Sequence, residues 1–446
     1  MQSKKIENTS FWWEKAAPED LQINQTLPRN CDVVVVGGGY SGLSVALNLA
    51  RAGRDVIVVD QDTPGQHAST INFGAAGRTI RPKLSDLVNS YGLNTGVQIM
   101  QEAKDWLEYM VSFINEEKID CEFNRAGRIY CAHTPAAYES LARSLEYEKK
   151  YLNVESHMVP KNEQHNEVGS DAYFGLMVLR DVGHLHPGLY YKGLMARTLS
   201  AGVRVYGKTK ATSFEHDSDG HTVRTQYGEV RCKKLVICTN AVTGSHDPLL
   251  KYFRRRIIPV NNWTIVTDPV SPELIKSVLP KGRLLLETVL LYTGLRPIES
   301  ENRLAVAGRH LFNYTNYTDA AMDVRKQIAF SFPQLKDVSI SHCWNGTFAM
   351  TFDWLPHFGR HEHTGAYYLL GLVGTGVPST AYFGNKLANM ILERKDKKSI
   401  FENRKFSTFP LYNGDNKVVL STLRSFYRTR DNTARAIALF RDKEYS

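Results

Sequence analysis

The stretch from Cys31 to Asp60, CDVVVVGGGYSGLSVALNLARAGRDVIVVD, constrains the fold of this chain more than any other. Asp32 to Val36 is a run of strand length, β-branched after the aspartate. Gly37, Gly39 and Gly42 follow as G-x-G-x-x-G, with Tyr40 and Ser41 between them. Leu43, Ala46, Leu47 and Ala50 then recur at helical spacing over Ser41 to Ala52. Gly53 stands where a left-handed C-cap is expected, and Val56 to Val59 reads as a second buried strand ending on Asp60. Strand, glycine turn, helix, strand and terminal acid together make a dinucleotide-binding unit. Gly37 permits the tight turn, Gly39 lets the backbone approach a pyrophosphate, and Gly42 lets helix and strand pack. The helix N-terminus offers N–H groups and a positive dipole end to the phosphates. Asp60 can accept both hydroxyls of an adenosine ribose and would repel a 2′-phosphate, which disfavours NADP. On these residues alone NAD is the default ligand.

At 446 residues the chain has room for two or three domains. A hydrophobic content of 42% and a charged content of 23% suit a soluble globular enzyme. The six cysteines are scattered without a C-x-x-C, which fits a reducing cytoplasm and neither a disulfide scaffold nor a zinc site. No apolar signal region opens the chain, and no run reaches the roughly 18 residues of a membrane span. The net charge of +9 collects in short clusters: Arg254 to Arg256, Lys395 to Lys398, and a C-terminal series with Arg424, Arg428 and Arg430. None interleaves with aromatics, so a solvated basic face is expected rather than a nucleic-acid surface. Contact of that face with an anionic membrane stays open.

Residues 1–30 read as a polar arm, packed onto the body through Phe11-Trp12-Trp13. The loop from Gln61 to Pro82 is long and glycine-rich, as loops shaped around a ligand are. Helices are expected over Leu84 to Glu117 and Thr134 to Leu152, and strands at Val203 to Tyr206 and Lys234 to Cys238. From Arg254 to Pro333 the pattern turns β-rich, with strands at Trp263 to Val266 and Arg303 to Ala307 and a helix over Ala320 to Phe332. A last strand, Ala366 to Leu370, leads into a second glycine turn and helix. Two such turns at opposite ends of the chain predict an α/β, Rossmann-like domain built from discontinuous segments, beside an α+β, sheet-rich substrate domain. The expected division is an arm at 1–30, a cofactor domain at 31–95, 166–250 and 345–395, a substrate domain at 96–165 and 251–344, and a basic extension at 396–446.

Several segments carry a more specific signal: Ser10 to Trp13, DVVVVGGGYSGLSVALNLA, GHLHP at Gly183 to Pro187, PQLKDVSISHCWNG at Pro333 to Gly346, LPHFGR at Leu355 to Arg360, and the turn Gly371 to Val377. Through them the chain resembles the D-amino-acid-oxidase-like FAD-dependent oxidoreductases, nearest their gamma-glutamylputrescine oxidase-like branch, with glycine and sarcosine oxidases as relatives. The resemblance implies FAD, not NAD. Asp60 would hold the ribose with Gln61 beside it, Ser69 would lie near the pyrophosphate, and Ala211 and Thr239 would give backbone contacts. Gly374, Thr375, Gly376 and Val377 would lie beside the flavin ring. The chain departs from the family pattern in two places. Thr375 stands where a His is usual, and Thr70-Ile71-Asn72-Phe73-Gly74 replaces Gly-Arg-Asn-Gly-Gly. No cysteine matches a flavin-linking position, so non-covalent FAD is expected.

The implied reaction oxidises the C–N bond of a small primary or secondary amine, either plain or carrying a carboxylate or other anionic group. Hydride passes to flavin N5, the imine is hydrolysed to a carbonyl compound, and O2 is the final acceptor. An alkylamine of pKa about 10 is roughly 0.1% neutral at pH 7, so its pKa must fall by about three units, about 4 kcal/mol, most readily by desolvation. Tyr292, Trp263, Phe348, Trp344 and Trp354 are candidate walls. Arg78 and Arg81 resemble the Arg-x-x-Arg pair that anchors a carboxylate in sarcosine oxidases; Arg296 is a third candidate and Arg309 a weaker one. The lysine that follows the turn in those enzymes would fall at Pro378. His184 and His186 have a spacing a metal could use, but no partner motif accompanies them, so a structural role is expected and no metal. Asp353 and His357 could serve as acid or base, or lie in an outward loop. Two alternatives stay open: a membrane-peripheral dehydrogenase that passes electrons from an amine or 2-hydroxy acid to quinone or a carrier, and a flavin-binding subunit without turnover.

Overall fold

The computed structural model describes residues 5–20, 26–289, 293–308, 314–410 and 412–414, with residues 425 and 429. Two eight-stranded sheets dominate it. In the first, Tyr367–Leu370, Gly228–Ile237, Asn30–Val36, Val56–Val59 and Arg204–Tyr206 lie in that order, each parallel to its neighbour. Val33 and Val35 face one apolar core and Val34 and Val36 the other, so the central strand is buried on both faces, as a parallel sheet requires. The helix Tyr40–Arg51 packs on one face and crosses Gly376–Ile391 where Gly384 meets Ser44. A Cβ on Gly384 would lie 2.5 Å from that of Ser44, so a glycine is needed for this approach. The last strand and helix thus complete the domain begun at residue 30.

The second sheet runs Ile340–Met350, Ile258–Thr267, Arg303–Gly308, Gly294–Ile298, Leu284–Glu287, Arg128–Cys131, Leu176–Leu179 and Ser156–Val159. Side chains alternate along each strand. On one face Ile129, Val178, Trp263, Ile265, Leu285 and Val306 join a core with Val324 and Ile328 of the helix Tyr317–Ser331. On the opposite face one register row links six strands directly: Thr264, Ala307, Gly294, Leu286, Tyr130 and Met177.

The sheets part at different places from those the sequence suggests. Ile340–Met350 pairs along its whole length with Ile258–Thr267, and Leu176–Leu179 also lies in the second sheet. The segment 166–250 therefore serves both sheets. Gly92, at φ +82°, divides the helical stretch after Leu84 into two helices. The longer, Leu93–Glu116, buries Trp106 against Phe383 and Phe401, so it packs with the first sheet's helices. Among the described residues no helix is long and apolar enough to cross a membrane.

Candidate functional site

A cavity of about 720 Å³ extends from the first glycine turn to the alternating face of the second sheet. At its first end Gly37 takes φ +109°, and a Cβ there would lie 2.7 Å from the Cys238 carbonyl oxygen. At Gly42 a Cβ would lie 1.9 Å from the Gly37 carbonyl oxygen, so this glycine, which does not line the cavity, lets the helix sit on the strand. Gly39 precedes the helix and has no side chain with which to cap it, so the positive end of the helix faces the cavity with Ser69 as its one side-chain partner there among the described residues. Ser69 Oγ accepts from the Tyr40 N–H at 3.0 Å. Tyr40 lines the cavity, and its hydroxyl donates to the Pro187 carbonyl at 2.8 Å. Asp60 ends its strand at the cavity wall, where its carboxylate accepts from Gly38 N at 2.7 Å and Asp62 N at 3.0 Å. Burial holds this carboxyl above its usual range against the pull of those donors. Gln61, Ser41, Ala211 and Thr239 line the same end.

The second glycine turn closes the middle of the cavity. Val373 and Gly374 are both left-handed, at φ +51° and +78°, and Val373 N donates to Ala349 O, which ties the turn to the second sheet. A β-branched residue in that region carries local strain. Thr375 donates to the Leu372 carbonyl at 2.7 Å, so its hydroxyl is spent within the turn and the helix that starts at Gly376 has no side-chain cap. Gly374, Thr375, Gly376 and Val377 all line the cavity. Opposite them, three indoles hold the loop after Ser69. Trp13 Nε1 donates to Thr70 Oγ1, Trp344 Nε1 to Ile71 O, and Trp12 Nε1 to Asn72 O, each at 2.9 Å. The N-terminal arm is thus part of the cavity's support, and Trp12 is fully buried.

The structure separates the substrate-side candidates. Trp263 lies in the wrong half of the strand's alternation: it is buried on the far face, against Tyr314 and Tyr317, while its neighbours Asn262 and Thr264 line the cavity. Arg296 is also not a cavity residue. Its Nη1 donates to the carbonyls of Phe73 and Leu185, its guanidinium sits over the Trp12 ring, and burial pushes its pKa down to about 9. It braces the loop rather than facing a substrate. Arg78 lines the cavity but is ion-paired with Asp181 at 2.5 Å and lies 3.8 Å from Glu148. Arg81 lines the outer part, 5.3 Å from the Trp354 ring centre. Tyr292 and Arg309 lie outside the described residues. Phe348 is a wall; Trp344 and Trp354 are not.

His357 and Asp353 bond each other at 3.0 Å, and neither lines the cavity. His186 accepts from Leu189 N and so caps the helix Pro187–Ser200. Among the described residues no group of three or more His, Cys, Asp or Glu is placed to hold a metal. Two further residues at the cavity wall stand in ordinary strand sequence: Asn262, whose buried Oδ1 has no partner, and Arg128, a buried guanidinium. The available signal was the alternation: Arg128 and Tyr130 point one way in the strand whose Ile129 and Cys131 enter the core.

The sequence pattern of the FAD dependent oxidoreductase (DAO) family matches residues 32–390. The chain belongs to this family. It is 31% identical over 415 residues to the gamma-glutamylputrescine oxidoreductase of Escherichia coli, covering 91% of this chain and 94% of that one. Among solved structures, glycine oxidase from Geobacillus kaustophilus superposes with a TM-score of 0.71 at 19% identity, over 86% of this chain and 99% of that one. L-proline dehydrogenase from P. horikoshii gives 0.68 at 20%, over 84% and 96%. The chain is an FAD-dependent oxidoreductase, and its cavity suits that cofactor. A helix N-terminus and a carboxylate stand at one end, as pyrophosphate and ribose require, and a second helix N-terminus stands further along the same cavity.

Proposed function

We propose that this protein oxidises the C–N bond of a small primary or secondary amine that carries an anionic group, with O2 as the final electron acceptor. The observation that carries the reading is the continuity of one cavity from the dinucleotide turn, past the N-terminus of the second glycine-turn helix, to a wall built from the second sheet. FAD, bound non-covalently along the first part, supplies the two-electron acceptor. Asp60 is the residue to hold the ribose, the open turn at Gly39 to Ser41 the pyrophosphate, and Gly374 to Val377 the ring. Cys238 is the cysteine that lines the cavity; it packs at the first glycine turn, and burial raises its thiol pKa, which suits it poorly to a flavin link.

The chain's own contribution to the chemistry is to desolvate and to orient. Phe73, Phe348, Leu286 and Met177 supply apolar walls that favour the neutral amine, the form with a lone pair to release. Asn262 lines this wall with an Oδ1 that has no partner, and in this reading the amide turns to accept from an amine N–H and so fixes which hydrogen faces the acceptor. The relationship to a gamma-glutamylputrescine oxidoreductase over nearly the whole chain supports amines as the substrate class.

The test is anaerobic bleaching of the purified yellow protein by a panel of amines and 2-hydroxy acids, followed by peroxide measurement in air. Amines that bleach the flavin and yield peroxide support the proposal. Bleaching with dye reduction but negligible peroxide would replace O2 by another acceptor, and a panel in which no amine bleaches would overturn the reading. Flavin that stays with the protein after acid precipitation would overturn non-covalent binding.

A further inference from the structure

Arg128 sits on the cavity face of the second sheet and is only 4% exposed. Among the described residues no carboxylate lies within ion-pair distance of it. Its Nη1 donates to Thr79 Oγ1 at 2.9 Å and to Tyr130 OH at 3.3 Å, and its buried Nε has no partner. Two neutral hydroxyls compensate little of the cost of taking a guanidinium out of water, which runs to several kcal/mol. Arg78 nearby shows the contrast: Asp181 and Glu148 answer its charge, so it has little to offer a ligand. Room for the Arg128 group is made by Gly77, where a Cβ would lie 2.8 Å from Nη2. The other charged neighbours do not supply the missing anion. His184 is held neutral by burial and by the positive charges of Arg296 and Arg128.

The position of Arg128 also speaks to substrate length. Tyr130, two residues on, belongs to the register row that leads through Leu286 and Ala307 to Thr264. Four strand spacings separate the ends of that path, at most roughly 19 Å at about 4.8 Å each. An amine held near Asn262 and Thr264 with its anion at Arg128 has room along that row to be an extended molecule, longer than glycine.

We infer that Arg128 is the anchor for the carboxylate of an extended amino-carboxylate substrate, a planar anion that its guanidinium fork matches. This rests on the amine-oxidising function proposed above. The test uses the monoamide of glutaric acid with 1,4-diaminobutane, which has a primary amine at one end and a carboxylate at the other, and its neutral carboxamide counterpart. Binding of each to the holoenzyme is measured by calorimetry, and anaerobic flavin bleaching is followed separately. Replacing Arg128→Met is expected to weaken binding of the carboxylate probe by roughly 10- to 100-fold and to leave the neutral probe within about twofold. Arg128→Lys, which keeps the charge and loses the fork, is expected to fall between. Equal losses for both probes, no loss for either, or no binding of the carboxylate probe to the wild-type holoenzyme would overturn the assignment. Bleaching decides the other matter: a carboxylate probe that binds through Arg128 while no amine bleaches the flavin would leave the anchor standing and remove the amine reaction.

Discussion

Replacing Gly42→Ala tests the link between helix packing and cofactor binding. A Cβ at this position would lie 1.9 Å from the Gly37 carbonyl oxygen, and a backbone oxygen cannot rotate away as a side chain can. Ordinary carbon–oxygen contacts begin near about 3.3 Å, so the helix Tyr40–Arg51 must lift by roughly 1.4 Å. Overpacking of this kind costs about 1–3 kcal/mol. The same displacement would carry the helix N-terminus beyond hydrogen-bond range of a pyrophosphate seated for the wild-type turn. Charge-assisted bonds of that type are worth about 1.5–3 kcal/mol, so FAD affinity is expected to fall roughly 10- to 100-fold. Urea unfolding of the apoprotein reads the first effect, and fluorescence titration of the apoprotein with FAD reads the second. Gly53→Ala is the control. No atom lies within 4 Å of its Cβ position, so only the cost of a left-handed alanine, about 1–2 kcal/mol, applies, and FAD affinity should not change. A Gly42→Ala protein as stable as wild type with unaltered FAD affinity would refute the reasoning.

Three further outcomes are expected. Asp60→Asn removes the charge of the carboxylate that accepts from Gly38 and Asp62 and should raise the Kd for FAD by roughly tenfold or more, read by the same titration. Trp12→Ala empties a fully buried site and releases the Asn72 carbonyl, at a cost of about 3–5 kcal/mol in chemical unfolding, whereas Trp12→Phe should lose about 1 kcal/mol. Burial pushes His186 down to about 4 from its ordinary 6.5. Between those values the unfolded chain takes up a proton that the folded chain refuses, so the stability this residue contributes is present above pH 6.5 and is lost as pH falls toward 4. The slope is about 1.4 kcal/mol per pH unit, about 3 kcal/mol in all. His186→Asn keeps a helix cap and should flatten the acid limb of a stability–pH curve by that one proton; an unchanged limb would show that His186 does not titrate there.

The cofactor end of this molecule was legible because its determinants are local. Gly37, Gly39, Gly42 and Asp60 fall within one strand–turn–helix–strand unit, where each glycine's task follows from its neighbours in the chain. The substrate end obeys a different logic. The residues around Trp263 announce a strand, yet period-2 alternation leaves open which parity faces the ligand, and that choice is made by the helix Tyr317–Ser331 packing on one face. Trp263 went to the core for this reason, and Asn262 and Thr264 to the cavity. Arginines raise the same difficulty in electrostatic form. Nothing in the residues beside Arg78 shows that Asp181 will answer its charge, and nothing beside Arg128 shows that none will, because ion pairs form between segments about a hundred residues apart. A guanidinium's availability is thus a property of the assembled fold. The proposed substrate positions Arg128 and Asn262 have ordinary strand residues as neighbours in sequence, and what sets them apart is what the other strands leave unpaired beside them.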